Sequence, residues 1–184
     1  MSFFKTQGIV LKIIKVSQGE MIYRILFRDY GILSVSKKKK VREKPIDIGY
    51  FVSCEIITKK HREIHTIGNI KILSYFASEN RSYKDLEDFL KILVRIHKEI
   101  PEWNPHYEIY DILSHCITLE WELDSSKILL THLKIISLLW NLQELHKDPT
   151  CEKTLKFIHK YSYKKILELG NIPEDTKKHL EDLL

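Results

Sequence analysis

Around Asn80 the hydrophobic period of the sequence changes from two to about 3.6 residues, and this change constrains the fold more than any other feature. Five short runs with strand character precede it. Residues 8–16 (GIVLKIIKV) are rich in β-branched side chains, and Ser17-Gln18-Gly19-Glu20 then reads as a turn. Residues 21–28 (MIYRILFR) alternate, with Met21, Tyr23, Ile25 and Phe27 on one face and Ile22, Arg24, Leu26 and Arg28 on the other. That pattern predicts a strand with one packed face and one wet, charged face. Asp29-Tyr30-Gly31 turns the chain, with Gly31 suited to a positive φ, and residues 32–36 form a third strand. After a basic linker, residues 50–59 and 64–73 make a second hairpin through Lys60-His61-Arg62-Glu63.

Five strands joined by short connections leave two open edges unless the sheet closes on itself. A closed five-stranded barrel is the economical solution. The OB-fold is the known small barrel of this description, and it binds oligonucleotides on one face and in its loops. An SH3-like barrel is the main competitor on strand count.

Beyond Asn80 the reading is helical. Ser82 with Asp85 resembles a capping box, and Leu86, Phe89, Leu90, Leu93 and His97 follow at helical spacing until Pro101. Asn104-Pro105 is expected to open a second helix, with Asn104 as N-cap and a stripe of Ile109, Ile112, Leu113, Cys116 and Ile117. Ser125 or Ser126 is expected to cap a third helix reaching about His146, with Ile128, Leu129, Leu133, Ile136 and Trp140 inward. Shorter helices follow at about 150–161 and 162–169, with Gly170 as a stop, and a last one begins at Pro173. The expected class is α+β, β then α: an OB-fold nucleic-acid-binding domain over residues 1–80 and an all-helical domain over 81–184.

Charge divides along the same line. Residues 1–80 carry fifteen Lys/Arg against seven Asp/Glu, whereas residues 81–184 carry fifteen against eighteen. An AT-rich genome enriches lysine but would not make the second part acidic, so the first part is expected to face a polyanion. Residues 37–44 (KKKKVREK) hold six basic side chains, Lys37, Lys38, Lys39, Lys40, Arg42 and Lys44. Clustered cations bind repeated phosphates by displacing counterions, and lysine supplies point charges without base selectivity. The competing reading is a solvated linker; a nuclear-localisation signal would require a eukaryotic source. A second basic cluster, Lys59, Lys60 and Arg62, sits where an OB-fold carries a ligand-binding loop. Together with Arg24 and Arg28 these clusters are expected to line one groove. Tyr30 and Tyr50, which flank turns, are the favoured stacking platforms.

Catalytic and metal chemistry find little support. The sequence has no GxGxxG, GxxxxGK[ST] or GxSxG motif, so no enzyme is expected. Asp85, Glu87 and Asp88 lie at a helix start, where the helix dipole accounts for them. His61 and His65 lie in a hairpin, His115-Cys116 falls in a helix stripe, and no CxxC pair exists, so neither a metal nor another cofactor is expected. Cys54, Cys116 and Cys151 are odd in number and far apart, which suits reduced thiols. With no run near about 18 apolar residues and no leader-like N-terminus, the chain is expected to be soluble and cytoplasmic, without membrane contact.

The order of these features resembles the RecO family, bacterial recombination mediators. Gly8-Ile9-Val10-Leu11 is similar to the family's first strand, and Gly19-Glu20, Ile25-Leu26-Phe27 and Tyr30-Gly31 to its first hairpin. Ser36-Lys37 and the basic residues after it resemble its linker. Tyr50-Phe51, the exit Tyr75-Phe76 and Asn104-Pro105 with Ile109 and Ile112-Leu113 continue the match. The resemblance implies an OB-fold with a helical domain, binding of single- and double-stranded DNA, and annealing of complementary strands. It further implies contact with single-strand-binding protein, partnership with RecR in loading RecA, and a bacterial, nucleoid-associated location. Two departures stand out. Only Cys151 remains where many members carry a cysteine zinc finger, so zinc is not expected, and Lys38 replaces the family's linker glycine. A protein-interaction adaptor whose basic barrel docks an acidic peptide, such as the tail of a single-strand-binding protein, is the alternative function.

Overall fold

The computed structural model describes residues 2–17, 19–38, 44–58, 63–76, 82–118, 124–140, 149–168 and 172–182. Five strands, β1 (Ser2–Ser17), β2 (Glu20–Phe27), β3 (Gly31–Lys38), β4 (Tyr50–Thr58) and β5 (Ile64–Tyr75), close into a barrel of order β1-β2-β3-β5-β4. β1 is sixteen residues long, longer than its β-branched core of residues 8–16 foretold, because it serves two neighbours. Residues 2–9 pair antiparallel with β4, and residues 8–17 pair antiparallel with β2. At the changeover stands Gly8, where a Cβ would lie 2.5 Å from Ile25 Cγ2, so only a glycine lets the inner side chains come that close. β3 and β5 run parallel over a short ladder, Ser34–Ser36 with Ile64–Thr66. This order, closed by β1 and β4, settles the choice between the two small barrels in favour of the OB-fold.

The barrel is filled by Val10, Tyr23, Ile25, Phe27, Leu33, Val35, Val52, Cys54, Ile56 and Ile67, the inward sets that period two selects. Full burial of such an aliphatic or aromatic side chain stabilises by about 1.5–3 kcal/mol. The outer face departs from the expected wet surface. Ile9, Leu11, Leu26 and Ile32 alternate with the inward residues and are nevertheless 0–2% exposed. The helix Tyr107–Thr118 contacts β1, and Glu102 and Trp103 pair with Ile32, neighbours that period alone does not reveal.

Six helices follow among the described residues: α1 (Tyr83–Glu99), α2 (Tyr107–Thr118), α3 (Ser125–Leu139), α4 (Pro149–Lys160), α5 (Tyr163–Leu167) and α6 (Glu174–Glu181). Two compact units result, Met1–Arg81 with Leu93–Glu120, and Ser82–Ile92 with Trp121–Leu184. The division thus falls within α1, and residues 93–120, grouped with the other helices in the sequence reading, pack on the barrel. In this first unit α2 contacts β1, β4 and β5, and its buried stripe is the expected one. The Tyr110 hydroxyl donates to the Gln7 carbonyl at 3.3 Å, and its ring meets Phe51 edge-on at 6.5 Å.

The second unit is built around α3, where every residue from Ile128 to Ser137 is buried. Leu129, Leu130, Leu133 and Ile136 meet Cys151, Leu155, Ile158, Ile166 and Leu180 from α4, α5 and α6. Three helix ends differ from the sequence reading. Asp124, not Ser125 or Ser126, caps α3 by accepting from Lys127 N at 2.8 Å, since a carboxylate is the stronger acceptor at a positive helix end. α2 begins at Tyr107 rather than Pro105, and its first turn closes from Tyr110 N to the His106 carbonyl. Trp140, expected inward, terminates α3 in extended conformation and is 44% exposed. The expected continuation to His146 and the Gly170 stop lie outside the described residues.

Candidate nucleic-acid interface

The short β3–β5 ladder leaves an opening. Beyond Ser36, the end of β3 and the second half of β5 border a groove of about 620 Å³ that the linker residues Lys44, Pro45 and Ile46 also line. Lys37, Lys44 and Lys71 supply its cationic groups, while Tyr50 and Tyr75 supply its aromatic ones. Ile70, Ile72 and Leu73 complete it, and no carboxylate of the described residues lines it. Tyr50 and Tyr75 are ladder partners whose ring centroids lie 5.3 Å apart at 30°. Tyr75 is 45% exposed, leaving ring surface for a planar ligand. Lys44, Lys71 and the Tyr75 ring are exposed, whereas Lys37 is buried and Tyr50 packs partly buried against the barrel core. Exposed ammoniums beside an exposed ring suit a single strand, phosphates on one side and bases on the other.

The structure gathers part of the expected site. Lys37, Lys44 and Tyr50 converge on the groove. Lys38, the next residue of β3, is exposed and pairs with Glu20 across the ladder, outside that lining. Tyr30 is drawn back onto Phe4, with centroids 4.5 Å apart, and packs against the barrel core. Lys39, Lys40, Arg42, Lys59, Lys60 and Arg62 lie outside the described residues.

Arg24 and Arg28 do not join the groove. The Arg24 guanidinium meets Glu102 at 2.8 Å and donates to His97 Nε2 at 3.0 Å. Arginine stays protonated, so His97 accepts through Nε2 as a neutral ring. Burial, and then the charges of Arg24 and Lys12, hold the His97 pKa below its ordinary value. Arg28 makes a two-pronged contact with Asp111, 2.9 and 3.1 Å, beneath Tyr107. Asp111 also raises the Arg28 pKa, first through that hydrogen bond. Both arginines stand on one side of β2, and the carboxylates of Glu102 and Asp111 meet them there.

The outer face of β2 and β3 is where an OB-fold ordinarily takes its ligand. Here its lower half is occupied by the chain itself. Glu102 bridges to Ile32 as a short parallel pairing and accepts from Ser34 Oγ at 3.1 Å, and Trp103 N donates to the Ile32 carbonyl. Its upper half is a shallow groove of about 600 Å³ lined by Val16, Glu20, Ile22, Ser36, Glu63, Ile64 and Thr66. Two carboxylates and no cation or aromatic ring line it among the described residues. The basic, aromatic groove lies instead at the β3–β5 opening.

Lys71 and Tyr75 escaped the sequence reading as site residues, and the hairpin register shows why. Counting back from the Ile57–Thr66 pair sets Tyr50 opposite Leu73. Two irregularities, at Phe51/Val52 and Cys54/Ile56, each shift the register by one and bring Tyr75 opposite Tyr50. The pairing of two tyrosines across one hairpin was the available signal.

No helix among the described residues is long and apolar enough to cross a membrane. No family model matches the chain. The chain is 28% identical over 125 residues to the DNA repair protein RecO of Cyanothece sp. (strain PCC 7425 / ATCC 29141). That match covers 65% of this chain and 41% of the relative, so the chain spans less than half of that protein's length. The OB barrel with its following helices, and this relative, bear out the resemblance of the chain to the RecO family.

Proposed function

We propose that the chain is a DNA-binding repair protein of the RecO type, a binder rather than an enzyme, which holds single strands in the barrel groove without reading their sequence. The groove uniting Lys37, Lys44 and Lys71 with Tyr50 and Tyr75 carries this reading. Lysines neutralise phosphates, and exposed rings accept any base, since every base has a π-face. Double-stranded DNA would be held by the same cations through its backbone. Annealing then follows from charge: strands brought within the screening length of about 8 Å of these lysines repel each other less. Recombinase loading, with contacts to RecR, RecA and single-strand-binding protein, is the wider role that similarity to RecO supports.

Fluorescence anisotropy with a labelled oligothymidine tests the groove. If about six basic residues contact a single strand, log K falls with log[salt] at a slope near −4. Lys44→Ala combined with Lys71→Ala should weaken binding on every sequence and flatten that slope by about 1.4. Tyr75→Ala should cost about 1–3 kcal/mol if a base stacks there. Unchanged affinity and slope in the lysine double variant would move the site off the groove.

The apolar Ile46, Ile70, Ile72 and Leu73 beside the lysines favour one second reading, an adaptor that docks an acidic peptide with apolar side chains. Titrating bare oligonucleotide against such a peptide separates the two, because only the true ligand binds in the micromolar range or tighter at physiological salt.

A further inference from the structure

Within the second unit, α4 and α5 form a positive island in an otherwise acidic half. Residues 149–168 contain five lysines against two glutamates, whereas the rest of residues 81–184 holds ten Lys/Arg against sixteen Asp/Glu. Helical spacing puts Lys153, Lys156 and Lys160 on one face of α4, and all three are exposed. One of the glutamates, Glu152, is paired with Lys156.

The stripe ends on a pinned aromatic ring. Tyr161 packs on Phe157 with centroids 4.4 Å apart, and its carbonyl accepts from the ammonium of buried Lys134 at 3.1 Å. Lys160 Nζ lies 5.5 Å and Lys165 Nζ 4.4 Å from the Tyr161 ring centroid. Both ammoniums, from different helices, are therefore tied to one ring and stand no more than about 10 Å apart, close enough to meet phosphates of one strand together. A flexible lysine loses side-chain entropy when it grips a phosphate, and ring contacts that already restrict it reduce that loss.

The geometry points to a second single-strand site on α4 and α5, centred on Lys160, Lys165 and Tyr161, which holds a second DNA strand while the barrel groove holds the first. The inference rests on the nucleic-acid reading of the groove and adds what annealing requires, two strands on one chain. Neither site involves a residue of the other.

A bridging assay on the full chain tests it. A biotinylated oligothymidine on beads, loaded with the protein, should capture a fluorescent oligothymidine that cannot pair with it. Lys160→Glu with Lys165→Glu should cut this capture roughly fivefold or more while leaving first-strand anisotropy within about twofold. Both lysines are exposed, so the circular-dichroism melt of the variant should match the parent, and Lys160→Gln with Lys165→Gln should give an intermediate loss. Capture unchanged in the charge-reversed variant overturns the second site, including the case where paired copies bridge through their grooves. A labelled oligoglutamate bound by the parent and lost in that variant, with capture intact, overturns it in favour of an acidic protein partner. Absence of first-strand binding by the parent would instead strike the groove reading, a result the anisotropy arm registers separately.

Discussion

Arg24 and Glu102 face each other at 2.8 Å, and the same carboxylate accepts from Ser34 Oγ at 3.1 Å. The chain therefore places its own carboxylate on the β2–β3 face, where an OB-fold ordinarily takes its ligand. Both side chains are about one-third exposed, so the pair is only partly screened by water. Glu102→Ala leaves Arg24 and Ser34 short of an acceptor and should cost about 1–3 kcal/mol in urea unfolding. Arg24→Ala, by contrast, should leave oligothymidine affinity almost unchanged. A loss as large as that of the Lys44/Lys71 double variant would show that Arg24 reaches DNA after all.

Gly31 is held from two directions. Its φ is +70°, and a Cβ there would lie 2.4 Å from the Asn104 carbonyl oxygen, which is backbone and unable to yield. The left-handed conformation alone costs a side-chain-bearing residue about 1–2 kcal/mol, and the clash adds to it. Gly31→Ala should lower the urea midpoint sharply, whereas Gly68→Ala, whose Cβ would find Glu55 no nearer than 3.7 Å, should scarcely move it. Equal midpoints for the two variants would contradict the close packing of Asn104 on the β2–β3 turn.

His65 is 4% exposed, stands edge-on to Trp103 at 5.1 Å, and has no hydrogen-bond partner at either ring nitrogen among the described residues. Burial holds its pKa below the ordinary value, so the folded chain keeps it neutral while the unfolded chain takes up a proton near pH 6.5. Folding stability is then complete above about pH 6.5 and declines as pH falls from there toward the lowered folded-state pKa. His97 and His106, also lowered chiefly by burial, act in the same direction. Denaturation of His65→Leu between about pH 7 and pH 5 should show a shallower acid decline than the parent. A decline of equal slope would mean that His65 does not titrate with folding.

The expected elements were legible wherever neighbours along the chain decide the outcome. Tyr23, Ile25 and Phe27 fill the barrel as period two requires. Ser82 caps α1 as its spacing to Asp85 suggests, with Asp85 N donating to Ser82 Oγ at 3.1 Å and Ser82 N to the Asp85 carboxylate at 3.3 Å. Half of the groove was legible too, because Lys37 and Lys44 stand in an unmistakable basic run and Tyr50 opens a strand. Lys71 and Tyr75 were not, since two bulges displaced the register that counting implies.

Local period and turn chemistry thus determined the five strands, the helices and the concentration of positive charge in the first part. Tertiary structure alone decided which of those charges remain available. Arg24 and Arg28 resemble Lys44 in any tally of charge, yet Glu102 and Asp111, nearly eighty and more than eighty residues away along the chain, come to meet them. Electrostatic attraction depends on distance through space, and the sequence records only distance along the backbone.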